Sequence, residues 1–141
     1  MVNRDVIAAK LAELARRTAR ARQHVKATSA ELAADADALD LVAFNLMLAV
    51  QTCADIASHL IADAGWPSTR TFAEAFLRLH EHGVLTRSTA DALARAAGLR
   101  NVVAHGYAGV DVGLVHAAAT SGLRDLDAFA REVAVWVSGA G

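Results

Sequence analysis

Apolar residues recur at three- and four-residue intervals along most of the chain, and this periodicity limits the possible folds more than any other feature. Ile7, Leu11, Leu14, Thr18 and Val25 mark one face of a helix over residues 3 to about 26. The one proline, Pro67, leaves such runs unbroken, and an aromatic share of 5% is too small for a strand-rich sandwich core. Alanine fills 34 of 141 positions, so the 55% hydrophobic share overstates the large apolar side chains. The core must come from helices whose backbones approach closely. A chain of this length makes a single domain, and the pattern specifies an all-α, compact bundle over residues 1–141 with two long N-terminal helices and three or four shorter ones.

Turn and cap signals divide the chain. Thr28-x-x-Glu31 has the form of a capping box and predicts a second helix running to about Ala64. Between residues 41 and 64, Asn45, Gln51, Thr52, Asp55, Ser58, His59 and Asp63 fall in a stripe about 140° wide, leaving most of the circumference apolar. Such a helix is either central to the bundle or shared with a second subunit. Gly65-Trp66-Pro67-Ser68 breaks the run. Thr71 to Glu74 then starts a short helix ending at Gly83, Ser88 to Asp91 repeats the starting signal, and a fourth helix runs towards Gly106, placed as its terminating glycine. Leu114-Val115 and then Leu126, Phe129, Val133 and Val137 close the domain with one or two more helices.

A net charge of −1 excludes a uniformly basic nucleic-acid-coating protein, yet the charge is uneven. Residues 1–28 hold seven bases against Asp5 and Glu13, a local +5 that leaves −6 for the remainder. Two readings of the basic first helix are open: a face that meets phosphates or an acidic partner, and a solvated surface. Cys53, the only cysteine, cannot form an internal disulfide and reads as a small buried apolar residue, which fits a reducing compartment. The N-terminus lacks the look of a signal peptide, and the longest uncharged stretch, residues 41–54, is shorter than the ~20 residues a bilayer requires. The expectation is a soluble, cytoplasmic protein with no membrane association.

The conspicuous segment is Leu99-Arg100-Asn101-Val102-Val103-Ala104-His105-Gly106-Tyr107, which crowds polar and titratable residues into a predicted helix end. Asn101 and His105, four apart, share a face, whereas Arg100 lies about 140° from His105 on an ideal helix. Arg100 and His105 therefore converge on one ligand only if the helix unwinds near Gly106 or a two-fold partner supplies a second copy.

The pattern Arg-Asn-x3-His-x-Tyr, in Arg100, Asn101, His105 and Tyr107, resembles the signature of the HEPN superfamily and its HepT-like toxin branch. Asp55-Ile56-Ala57-Ser58-His59-Leu60-Ile61 in the second helix is similar to that branch's usual text, and the order of long and short helices agrees. The resemblance implies a metal-independent endoribonuclease toxin without a cofactor. It further implies a homodimer neutralised by a partner minimal nucleotidyltransferase antitoxin. On that reading His105 is the general acid or base and Arg100 stabilises the phosphorane, with Asn101 positioning the phosphate. Tyr107 is implied to be the acceptor of AMP from the antitoxin.

An alternative from a different class is a non-catalytic HEPN subunit that binds a nucleotide and a nucleotidyltransferase; a purely structural helical dimer is the third. Asp55 and His59, spaced i, i+4, can pair to orient the Arg100 region or form an ordinary helix-surface ion pair. His24, His80, His82 and His116 have no metal-ligand spacing and are expected at the surface.

Overall fold

The structure, a computed structural model, describes residues 2–104 and 111–139, with the backbone alone over 99–104. The described residues form seven helices: α1 (Arg4–His24), α2 (Ser29–Ala33), α3 (Ala36–Ala64), α4 (Phe72–Glu81), α5 (Arg87–Ala104), α6 (Val112–Ala119) and α7 (Leu123–Gly139). The all-α bundle expected from the periodicity is what the chain adopts. At 29 residues α3 is about 43 Å long, and every other helix packs against it. Ala43, Ala49 and Ala57 on α3 and Ala21 on α1 are fully buried, so small side chains do let the helices approach closely. Phe76 of α4 and Phe129 of α7 meet edge-to-face at 5.9 Å beneath them.

By length and composition α3 could cross a bilayer, but its apolar residues Leu46, Ile56 and Leu60 are enclosed by the other helices. Of the two roles open to so apolar a helix, the structure gives it the central one.

The second helix departs from its predicted span, because the chain breaks at Ala34-Asp35. Thr28 caps α2 as expected, accepting the Glu31 backbone N–H at 3.1 Å. Seven residues after Thr28 the Asp35 carboxylate accepts the Ala38 N–H at 3.0 Å and caps α3 afresh. Lys26 lies 3.3 Å from the same carboxylate, and these contacts, the Ala38 bond foremost, hold Asp35 below the usual carboxylate range.

The glycine breaks hold as predicted. After α3 the Gly65 N–H donates to Ala62 O at 3.2 Å and the Trp66 N–H to Ile61 O at 3.0 Å, with Gly65 at φ +73°. After α4 the same double closure forms at Gly83 (φ +77°). Both are Schellman ends, which require a left-handed residue that glycine adopts without a Cβ penalty.

The start of α5 lies two residues earlier than the Ser88 signal implied. Thr86 is the cap and accepts the Thr89 N–H at 3.2 Å. The carboxylate that completes the cap comes from α7: Glu132 accepts the Thr86 N–H at 2.7 Å and the Thr89 hydroxyl at 2.6 Å. A capping box thus forms across two helices, and it ties α7 to the helix that carries Arg100 and Asn101.

Candidate functional site

The motif occupies the C-terminal end of α5 and the residues after it. Arg100 and Asn101 lie in the last turns of the helix, with their side chains outside the described residues. His105 and Tyr107, and with them the placement of Gly106 as a terminating glycine, also lie outside the described residues.

Asp55 and His59 do not pair. Asp55 accepts from Gln51 Nε2 at 3.2 Å and sits 3.9 Å from Lys10 Nζ, whereas His59 is exposed. The partner of Asp55 is Lys10 instead, and the contact joins α1 to α3.

Much of the basic face of α1 is paired with acids of the same chain. Glu13 binds both Arg16 and Arg17, and Arg17 also donates to the buried Asn45 Oδ1 at 3.3 Å. Asn45 in turn donates to Leu41 O at 2.7 Å. Arg22 reaches Asp127 of α7 at 3.1 Å. The hydrogen bond from Arg16, followed by that from Arg17, holds the Glu13 carboxyl below its ordinary range. The helix packs on α3 and, less extensively, on α7 and α6, while α5 packs mainly on α4 and α3. Arg17 and Arg22 therefore fasten α1 to α3 and α7, whereas Arg16 pairs within α1.

The four outlying histidines correct the surface expectation in most cases. His80 Nδ1 donates to Leu85 O at 3.0 Å, and His116 Nε2 donates to Lys26 O at 2.9 Å; both rings are partly buried. Their partners are backbone carbonyls brought close by turns and tertiary packing, which residue spacing does not display. His82 is exposed but stacks on Trp66 at 4.1 Å, and the Nε2 of His24 is buried. Cys53 is enclosed, and burial pushes its thiol far above the ordinary range, in keeping with a packing role.

A cavity of about 780 Å³ opens where the last described turns of α5 meet α3, α6 and the start of α7. Leu46, Val50, Leu93 and Leu126 form its apolar floor, and Arg95, Ser121 and Asp125 stand at its exposed edge. Sequence reasoning missed these three residues, because each reads as a solvated helix or turn position until four helices are assembled. The position of Arg95, five residues before Arg100, was the one available hint.

The described residues thus form an all-α bundle, and the Arg-Asn-x3-His-x-Tyr sequence begins in the last turns of α5. The profile of the Ribonuclease HepT-like family matches residues 14–133, and the chain belongs to that family, which places it among the endoribonucleases. An mRNA nuclease HepT of Shewanella oneidensis is 26% identical over 125 residues, covering 89% of this chain and 93% of that protein. A tRNA nuclease HepT of Aphanizomenon flos-aquae is 30% identical over 88 residues, 62% of this chain and 60% of its own. Among solved structures, the tri-AMPylated Shewanella oneidensis HEPN toxin in complex with MNT antitoxin superposes with a TM-score of 0.86. It is 24% identical and covers 94% of this chain and 99% of that one. The Bacillus subtilis cytosolic protein YutE, at 15% identity, superposes with a TM-score of 0.83 over 99% of this chain and 93% of its own. These likenesses fix the fold as that of the HEPN toxins.

Proposed function

We propose that the protein is the cytoplasmic toxin of a type VII-like toxin–antitoxin pair, a metal-independent endoribonuclease whose Arg100-x4-His105 site forms at a homodimer interface. The observation that carries this reading is the motif Arg100-Asn101-x3-His105-x-Tyr107 at the end of α5 in a chain with the HepT-like fold. A dimer answers the geometric problem of the motif, since two copies bring an arginine and a histidine to one phosphate that a single straight helix separates.

In the reaction His105 takes the proton of a ribose 2′-hydroxyl, a role open to imidazole near neutral pH. The 2′-oxygen bonds to the adjacent phosphorus, and the P–O5′ bond breaks. The 5′-oxygen takes up a proton and leaves as a hydroxyl, and the other product ends in a 2′,3′-cyclic phosphate. Arg100 stabilises the phosphorane charge with charge-assisted hydrogen bonds, and Asn101 orients the phosphate. A nucleotidyltransferase antitoxin silences the site by attaching AMP to the Tyr107 hydroxyl. The added charge and bulk stand two residues from His105 and repel an RNA phosphate.

Expression in a bacterial host tests this reading. The wild type should arrest growth, Arg100→Ala and His105→Ala should be soluble and harmless, and a co-expressed nucleotidyltransferase should add the mass of AMP to the wild type but not to Tyr107→Phe. Growth arrest by His105→Ala would contradict the catalytic assignment.

A second reading, a non-catalytic subunit that binds nucleotide and partner, is favoured by one observation: Arg16, Arg17 and Arg22 are paired with acids on a helix that packs mainly on α3 and not α5. Harmless wild-type protein that still binds the nucleotidyltransferase would select it.

A further inference from the structure

We infer that the cavity between α3, α5, α6 and α7 is a base-reading pocket for single-stranded RNA, in which Arg95 holds a phosphate and Asp125 selects guanine. The inference rests on the ribonuclease reading and deepens it by naming what determines the substrate.

The volume, about 780 Å³, lies within the range of roughly 300–1,000 Å³ found for small-ligand sites, with apolar walls and few polar groups. Buried Leu46, Val50, Leu93 and Leu126 give a base an apolar floor, and Leu114, 56% exposed, stands at the mouth.

The edge sets two opposite charges over the apolar floor. Among the described residues neither Arg95 nor Asp125 has an ionic or hydrogen-bonding side-chain partner, although both line the same cavity. On and just after α1, by contrast, Lys10, Arg16, Arg17, Arg22 and Lys26 each face an acid. A second copy of the chain laid across the cavity with an apolar face would bury Arg95 and Asp125 unpaired, which is strongly unfavourable. A nucleotide satisfies both, because its phosphate takes the guanidinium and its base edge takes the carboxylate.

The placement suits a strand crossing Arg100. Arg95 precedes Arg100 by five residues, an axial rise of about 7.5 Å and a turn of about 140° along α5, so a strand that meets both must wrap partly round the helix. An ionised carboxylate only accepts hydrogen bonds, and Ser121 Oγ, already donating to Ala117 O at 3.3 Å, also offers lone pairs. Guanine alone presents two neighbouring donors, N1–H and N2–H, on its Watson–Crick edge, and single-stranded RNA bases are read on that edge.

Two assays test the pocket separately from catalysis. In the first, the wild type, Arg95→Ala and Asp125→Ala cut a randomised RNA pool and the product ends are sequenced. A guanine preference near the cut should fall by about tenfold in Asp125→Ala, and Arg95→Ala should raise KM by a similar factor. In the second, Arg100→Ala protein with and without Asp125→Ala binds short labelled oligonucleotides that differ by one guanine-to-adenine change. Guanine-dependent binding that Asp125→Ala abolishes supports the pocket even if no RNA is cut, in which case only the ribonuclease reading falls. Equal binding of both oligonucleotides by both proteins, or an unchanged cleavage profile and KM in the variants, overturns the pocket. Weaker self-association of the variants with unchanged base preference would also overturn it and assign the cavity to contact between copies.

Discussion

The α1–α3 seam and the cavity at the end of α5 use the same kinds of residue to opposite ends. Along the seam the charges are paired: Lys10 with Asp55, Arg17 with Glu13 and Asn45, and the Asn3 N–H with Asp63 at 3.0 Å. At the cavity Arg95 and Asp125 remain open to a ligand. Both regions rest on buried leucines, so composition does not distinguish them. Paired charges hold a fold in register and contribute little binding capacity, whereas unpaired charges over an apolar floor are free to take a ligand.

The contrast can be broken from either side. The largest effect falls on catalysis: Arg100→Ala and His105→Ala should each lower cleavage by 10²- to 10⁴-fold, the usual range for a general acid–base group, with unchanged helical circular dichroism. Leu14→Ala, at a residue 1% exposed in the seam, should instead cost about 2–5 kcal/mol of stability in urea titration and leave the activity of the folded fraction intact. Glu132→Ala removes the acceptor of both the Thr86 N–H and the Thr89 hydroxyl; calorimetry should show a loss of roughly 0.5–2 kcal/mol, the usual worth of a helix cap.

The smallest effect is on pH dependence. Glu13 and Asp35 both titrate below their ordinary values in the folded chain. Their contribution is therefore present above the unfolded carboxylate range, near pH 4, and is lost as pH falls through the lower folded values. Melting temperature should drop with acidification across that window, and Glu13→Gln should flatten the drop slightly.

Local chemistry made much of the fold legible. The Thr28 and Thr71 caps and the Gly65 and Gly83 breaks act within four or five residues, and all four appear where the sequence places them. The break at Asp35 was hidden because an aspartate followed closely by Asp37 and Asp40 also reads as part of a solvated helix face. The start of α5 was misplaced because its capping carboxylate, Glu132, stands 46 residues from Thr86. The same holds for the site. Arg100, Asn101, His105 and Tyr107 lie within eight residues and were legible at once, while Arg95, Ser121 and Asp125 belong together only after four helices have packed.

The most direct measurement is incubation of purified protein with single-stranded RNA in excess EDTA, beside His105→Ala, with the product ends analysed. The account predicts 2′,3′-cyclic phosphate and 5′-hydroxyl ends from the wild type alone. Intact RNA with folded wild-type protein whose mass shows no added AMP, or equal cleavage by His105→Ala, would contradict it.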